Sequence, residues 1–121
     1  MSNRPSSDWP AHLDAVVAAP KHHLVLLDNA EVRVLDTSIA PGEVVPLHTH
    51  RWPAVYYVLG IGDFVRRDEH GTVLADTRRS SQRAEVGQAL WSPPLGPHTL
   101  ENVGATEIHV VSVELKNRAD R

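Results

Sequence analysis

Pro41-Gly42-Glu43-Val44-Val45-Pro46-Leu47-His48-Thr49-His50 is the stretch that decides the fold. It opens on a Pro-Gly turn, continues through apolar residues and ends in His-x-His. In a β-strand, residues i and i+2 share a face, so His48 and His50 can aim their imidazoles at one point, which a helix at that spacing could not arrange. Eight histidines in 121 residues make an isolated His-x-His a weak signal. A second stretch strengthens it. Gly87-Gln88-Ala89-Leu90-Trp91-Ser92-Pro93-Pro94-Leu95-Gly96-Pro97-His98-Thr99-Leu100-Glu101-Asn102 also runs from a glycine through a short apolar segment and a Pro/Gly turn to a histidine. A third imidazole from a neighbouring strand would complete one face of a mononuclear metal site.

Outward from these stretches the chain reads almost wholly as short strands. They are expected at His22 to Asp28, Val32 to Ile39, Val44 to His50, Ala54 to Leu59, Asp63 to Asp68, Val73 to Arg78, Ala89 to Ser92, His98 to Val103 and Glu107 to Leu115. Asp28-Asn29, Pro41-Gly42, Trp52-Pro53, His70-Gly71, Pro93 to Pro97 and Gly104-Ala105 punctuate them as turns. Many short strands with no helical stretch between them predict an all-β fold, a closed double-sheet barrel of the jelly-roll kind. Residues 1–21 read as an N-terminal tail or short helix, with Asp8-Trp9-Pro10 as an anchor, and residues 22–121 as the barrel domain.

A chain of 121 residues is one domain, long enough to bury a core. A formal net charge of -3 argues against nucleic acid or an anionic membrane surface as the main partner. The pairs Arg66-Arg67 and Arg78-Arg79 flank the turn Asp68-Glu69-His70-Gly71 and read as solvated charges on an exposed hairpin, with anion binding a minor alternative. Without cysteine there is no disulfide framework, thiolate ligand or cysteine nucleophile. The N-terminus lacks an apolar signal core and no apolar run is long enough to span a bilayer, so a cytoplasmic protein is expected.

The stretch 41–50 resembles the first motif of the cupin superfamily, a glycine followed by His-x-His. The stretch 87–102 resembles the second, with its histidine and an asparagine four residues later. The resemblance covers about residues 22 to 115. It implies a double-stranded β-helix and a homodimer. It also implies a site for one divalent transition metal at His48, His50 and His98, filled by iron, zinc, nickel, copper or manganese. One departure matters: the motif places a glutamate four or five residues after the second histidine, where this chain has Ala54 and Val55. Glu101, three residues from His98, faces the opposite side of a regular strand. Asp63 follows Gly60-Ile61-Gly62, where a bulge can reset the facing, so it stays in play.

An all-histidine site leaves the charge of the ion uncompensated and favours a small anionic chelating ligand. The resemblance then implies a dioxygenase-like iron enzyme, or an isomerase or decarboxylase that uses the metal as a Lewis acid. The alternative is a non-catalytic small-molecule-binding module, metal-free in its simplest form. Alternation sketches the pocket wall. Leu100 and Asn102 share the face of His98. Tyr56 and Val58 point in if Ala54 does, and Tyr57 and Leu59 do if Val55 does. Trp52, Phe64 and Trp91 are the other bulky wall candidates. Asn102 is expected to support a turn, and Arg51 and Glu114 to be exposed. His12, His22, His23 and His70 are expected at the surface. His109 is expected on a buried face with Val111, Val113 and Leu115.

Overall fold

Residues 8–116 are described by the computed structural model. Nine strands form two antiparallel sheets. They are β1 (His23–Asp28), β2 (Val32–Ile39), β3 (Val44–His50), β4 (Ala54–Gly60), β5 (Phe64–Asp68), β6 (Val73–Asp76), β7 (Ala89–Ser92), β8 (Leu95–Asn102) and β9 (Ile108–Leu115). One sheet runs β1-β2-β9-β4-β7 and the other β3-β8-β5-β6, so chain neighbours are repeatedly separated between sheets. Crossovers of this sort join two sheets into a jelly roll.

The strands follow the expected spans closely, with one instructive difference. β8 begins at Leu95, inside the expected Pro93 to Pro97 turn. His48 pairs with His98 but His50 pairs with Leu95, so the register shifts across Gly96 and Pro97. A bulge there removes the need for the amide hydrogen that proline lacks, so the strand continues through it. Gly42, at φ 83, makes the turn into β3 in a conformation that residues with a Cβ rarely adopt.

The first part of the expected tail, residues 1–7, lies outside the described residues. From Trp9 the segment is packed against the barrel. A 3-10 turn (Ala11–Leu13) leads into a one-turn helix, α1 (Ala15–Ala18), and the Asp14 carboxylate accepts a hydrogen bond from the Val16 amide at its start. Ala15 and Ala19 are fully buried, and Asp14 forms an isolated parallel bridge with Thr49, between the two motif histidines of β3. Trp9 lies over Gly96, its ring 3.4 Å from where a Cβ would stand.

Ala19, Ile39, Val45 and Ile108 form the core cluster, with Phe64 and Leu100 packed against it. The facing of β4 is now settled: Ala54 is buried and Val55 is 37% exposed, so Tyr56 and Val58 point inward. On β9 the inward residues are Ile108, Val110, Ser112 and Glu114. The expectation for His109 is therefore corrected. It lies on the outer face with Val111 and Val113, half-buried, its Nε2 2.9 Å from Asp36 Oδ1. Both faces of this strand are rich in valine, so its hydrophobic alternation carries no facing. Among the described residues, no helix is long and apolar enough to cross a membrane.

Candidate metal centre

Four histidines from three strands meet at one end of a cavity of about 710 Å³. β3 brings His48 and His50 to the same face, β8 brings His98 beside His48, and β1 brings His23 over the group. Ring centroids are 5.0 Å apart for His48 and His50, 4.3 Å for His48 and His98, 5.0 Å for His23 and His48, and 5.3 Å for His23 and His50. Potential ligand atoms of His23, His48 and His50 all lie within 4.8 Å of one another. The structure thus brings His23 together with His48 and His50, while the expected third ligand, His98, stands beside His48 but outside that group of three.

Each ring is held the same way. The Nδ1 of His23 donates to Ala19 O at 2.9 Å, that of His48 to Pro46 O at 2.7 Å and that of His98 to Gly96 O at 2.6 Å. Those partners are carbonyls, which can only accept, so Nδ1 carries the hydrogen and Nε2 keeps its lone pair. His50 Nδ1 lies 3.2 Å from Glu114 Oε2 and donates to that carboxylate. Bonds of this type fix tautomer and ring orientation in metal-binding histidines.

Burial keeps His23, His48 and His98 neutral. It pushes the His23 pKa down to about 4, assisted by repulsion from His50. Burial also takes His48 down to about 2 and His98 to about 3, with repulsion from the neighbouring imidazoles adding to the effect. A neutral imidazole is the form that binds metal.

Behind His50 lies a charged network that the sequence reading did not anticipate. Glu114, expected to be exposed, is 1% exposed and accepts from both His50 and Arg33, whose Nε is 2.6 Å from Oε1. Arg33 also bonds Asp14 through both terminal nitrogens, at 2.8 and 3.1 Å. Burial works to raise the Glu114 carboxyl, but the bonds from His50 and Arg33 outweigh it and hold the pKa below the ordinary glutamate value. Burial likewise lowers the Arg33 pKa, yet the bonds to Asp14 and Glu114 leave it above the usual arginine range. Two carboxylates and one guanidinium leave a net negative charge beside the imidazoles, which suits a bound cation. Ala54 pairs directly with Glu114 across β4 and β9. The carboxylate absent from the motif position is thus present one strand away, bound to the back of a histidine.

The donor set fits a transition metal: neutral, buried and oriented imidazoles are borderline ligands that suit zinc, iron, nickel or copper. His23 and His22, expected at the surface, are each 5% exposed. α1 and its packed flanks cover them, and His22 Nδ1 is tied to Ser38 O at 3.0 Å. The available signal for His23 was its place at the head of an apolar strand pattern; for Glu114 it was a lone carboxylate in a valine-rich one. Of the other acids considered, Asp63 lines the cavity but is held by Thr77 Oγ1 at 2.9 Å and Arg83 at 2.6 Å, and Glu101 faces outward to Arg67.

Of the expected wall residues, Tyr56, Phe64 and Leu100 line the cavity, while Trp91, paired with outward-facing Val55 on an edge strand and 60% exposed, reaches only its rim. Trp52 and Tyr57 do not line it. Trp52 lies beneath the Arg33 guanidinium, 4.9 Å from its ring centroid, and Tyr57 faces outward from β4. Asn102 is buried and ties the barrel end together, donating to Ile39 O and Thr106 O at 2.9 Å and accepting from the Gly104 amide at 3.0 Å.

No protein-family model and no curated protein matches this sequence. Solved structures do match. A cupin domain from Bordetella pertussis Tohama I is 23% identical, with 78% of this chain and 91% of that one covered at a TM-score of 0.62. An RmlC-like cupin with a double-stranded β-helix fold from Methanocaldococcus jannaschii is 13% identical, with 77% of each chain covered at 0.55. A conserved protein with a double-stranded β-helix domain from Klebsiella pneumoniae is 20% identical, with 81% of this chain and 75% of that one covered at 0.53. Strand order, strand spans and these likenesses agree: the chain is a small single-domain protein with the cupin fold.

Proposed function

We propose that the protein is a metal-dependent cupin enzyme that acts on a small organic anion, with one divalent transition metal held by His48, His50 and His98 together with His23. The observation that carries this reading is the uniform arrangement of the four rings, each donating through Nδ1 to the protein and, among the described residues, with no hydrogen bond engaging Nε2. A bound ion would supply Lewis-acid polarisation of a coordinated oxygen and, if redox-active, oxygen chemistry. The protein's own part is to hold His23, His48 and His98 neutral, to set negative charge behind His50 through Glu114, and to exclude water with Phe64, Leu100, Ile108 and Val58. The reading includes a homodimer and a reducing, cytoplasmic setting consistent with the lack of cysteine.

The test is metal analysis of the purified protein, followed by anaerobic loading with ferrous iron and measurement of oxygen uptake with a panel of 2-oxo and 2-hydroxy acids. One metal per chain with acid-dependent oxygen uptake, or with metal-dependent acid isomerisation or decarboxylation, supports the enzyme. One metal per chain with saturable acid binding and no turnover would replace it with a binding module. Absence of bound metal after loading would overturn both metal-dependent readings.

A further inference from the structure

The alternation of β5 places Phe64 and Arg66 on the cavity face and Arg67 on the opposite one. Register with β8 confirms this: Arg66 pairs with Leu100 and Asp68 with His98, and both β8 residues line the same cavity. The two arginines of the dipeptide therefore have different fates. Arg67 meets Glu101 at 3.0 Å with both side chains about one-third exposed, the solvated pair expected of a hairpin. Arg66 turns inward, against the expectation that both are solvated.

Arg66 makes no ion pair among the described residues, and its Nε is buried without a hydrogen-bond partner. Its guanidinium stands 5.5 Å from the centroid of the Phe64 ring and interacts electrostatically with Tyr56. Arg33, the other inward-facing arginine, shows the usual solution for a buried guanidinium, bonded to two carboxylates. The carboxylate of the cavity wall, Asp63, is already engaged by Thr77 and Arg83. Arg66 is half-buried, with its Nε enclosed, and burial pulls its pKa below the usual arginine value.

We infer that Arg66 is the anchor for the carboxylate of a small organic acid. The acid lies in the cavity with its charged end on the guanidinium and its body against Phe64 and Leu100, reaching toward the histidines. A guanidinium presents parallel N–H donors that match a carboxylate, and in a partly dry cavity such ionised hydrogen bonds are strong. A cavity of about 710 Å³ admits a metabolite-sized molecule. The inference rests on the proposed metal centre only for where the far end of the acid points.

The test separates the two. Binding of acetate, benzoate and phenylacetate to the metal-free protein is measured by calorimetry, with benzamide and phenylacetamide as neutral counterparts, while zinc affinity is measured independently with a chromophoric chelator. At least one carboxylate should bind saturably and more tightly than its amide. Arg66→Met should weaken it by about tenfold to a hundredfold, the range that ionised hydrogen bonds contribute, and Arg66→Lys should restore part of it. Zinc affinity of Arg66→Met should stay close to that of the parent. Removal of a half-buried charge without an ion-pair partner should also leave the melting temperature equal or higher. Failure of all three carboxylates to bind, equal binding of acid and amide, unchanged binding in Arg66→Met, or a sharp fall in its melting temperature would each overturn the anchor. Loss of zinc binding in His48→Ala/His98→Ala with carboxylate binding retained supports the anchor as independent of the metal. Absence of zinc binding in the parent with carboxylate binding intact would overturn the metal centre and leave the anchor standing.

Discussion

Ala54 and Val55 are adjacent, yet one faces the histidines across β4 and the other faces out of the barrel, so glutamate at each should behave differently. Val55→Glu should leave zinc affinity nearly unchanged, because its carboxylate stands on the outer face of the sheet, away from the histidines. Ala54→Glu puts a second carboxylate beside Glu114. Without metal it should destabilise the protein by several kcal/mol, on the order expected for an unpaired buried charge. With zinc it should recover much of that loss by ligation, seen as a larger metal-induced rise in melting temperature than the parent shows. Equal behaviour of the two variants would contradict the facing. Glu114→Gln keeps the shape but removes the charge behind His50. It should weaken zinc by roughly ten- to a hundredfold, the usual effect of losing a partner of a metal-bound histidine, measured by chelator competition.

At the scale of elements, β1 and the segment before it contribute more than their sequence announces. The His-x-His pair and the His98 turn stand out because strand alternation and glycine spacing carry them. That is why β2, β3 and β7 fall on the expected residues. His23, Arg33, Asp14 and Glu114 do not stand out, because their burial depends on α1 closing over the barrel end and on β9 choosing one of two apolar faces. Local pattern encodes neither event. Breaking this network should be severe. Arg33→Met leaves Asp14 and Glu114 buried without their cation and should cost about 3–5 kcal/mol in denaturant unfolding. A loss below about 1 kcal/mol would show that the network does not hold the N-terminal segment in place.

For the molecule as a whole, the buried imidazoles set how stability varies with pH. His23, His48 and His98 titrate at about 4, about 2 and about 3 when folded, against about 6.5 in an unfolded chain. Their folded values are depressed, so between those limits the unfolded state binds more protons and acid favours it. The metal-free protein should be most stable above about pH 6.5. Below that, each such histidine should remove up to about 1.4 kcal/mol per pH unit. Denaturant midpoints from pH 7 to 5 test this, and a His48→Ala variant should show a shallower fall. The outer face of the five-stranded sheet is where the proposed homodimer would form: Leu27, Val34, Val113, Val55 and Trp91 stand in register across all its strands. Leu27, Val55 and Trp91 are at least one-third exposed. An apolar row of this length suits a second copy of the chain. Light scattering should give twice the monomer mass, and Val55→Arg with Trp91→Arg should halve it.

Zinc titration of the parent, His23→Ala and His48→Ala/His98→Ala, followed by calorimetry at pH 7, tests the central claim most directly. The predicted result is one zinc per chain in the parent, affinity reduced at least tenfold by loss of His23, and no stoichiometric binding in the double variant. Zinc bound with parental stoichiometry and affinity by all three proteins would contradict a metal centre at these histidines.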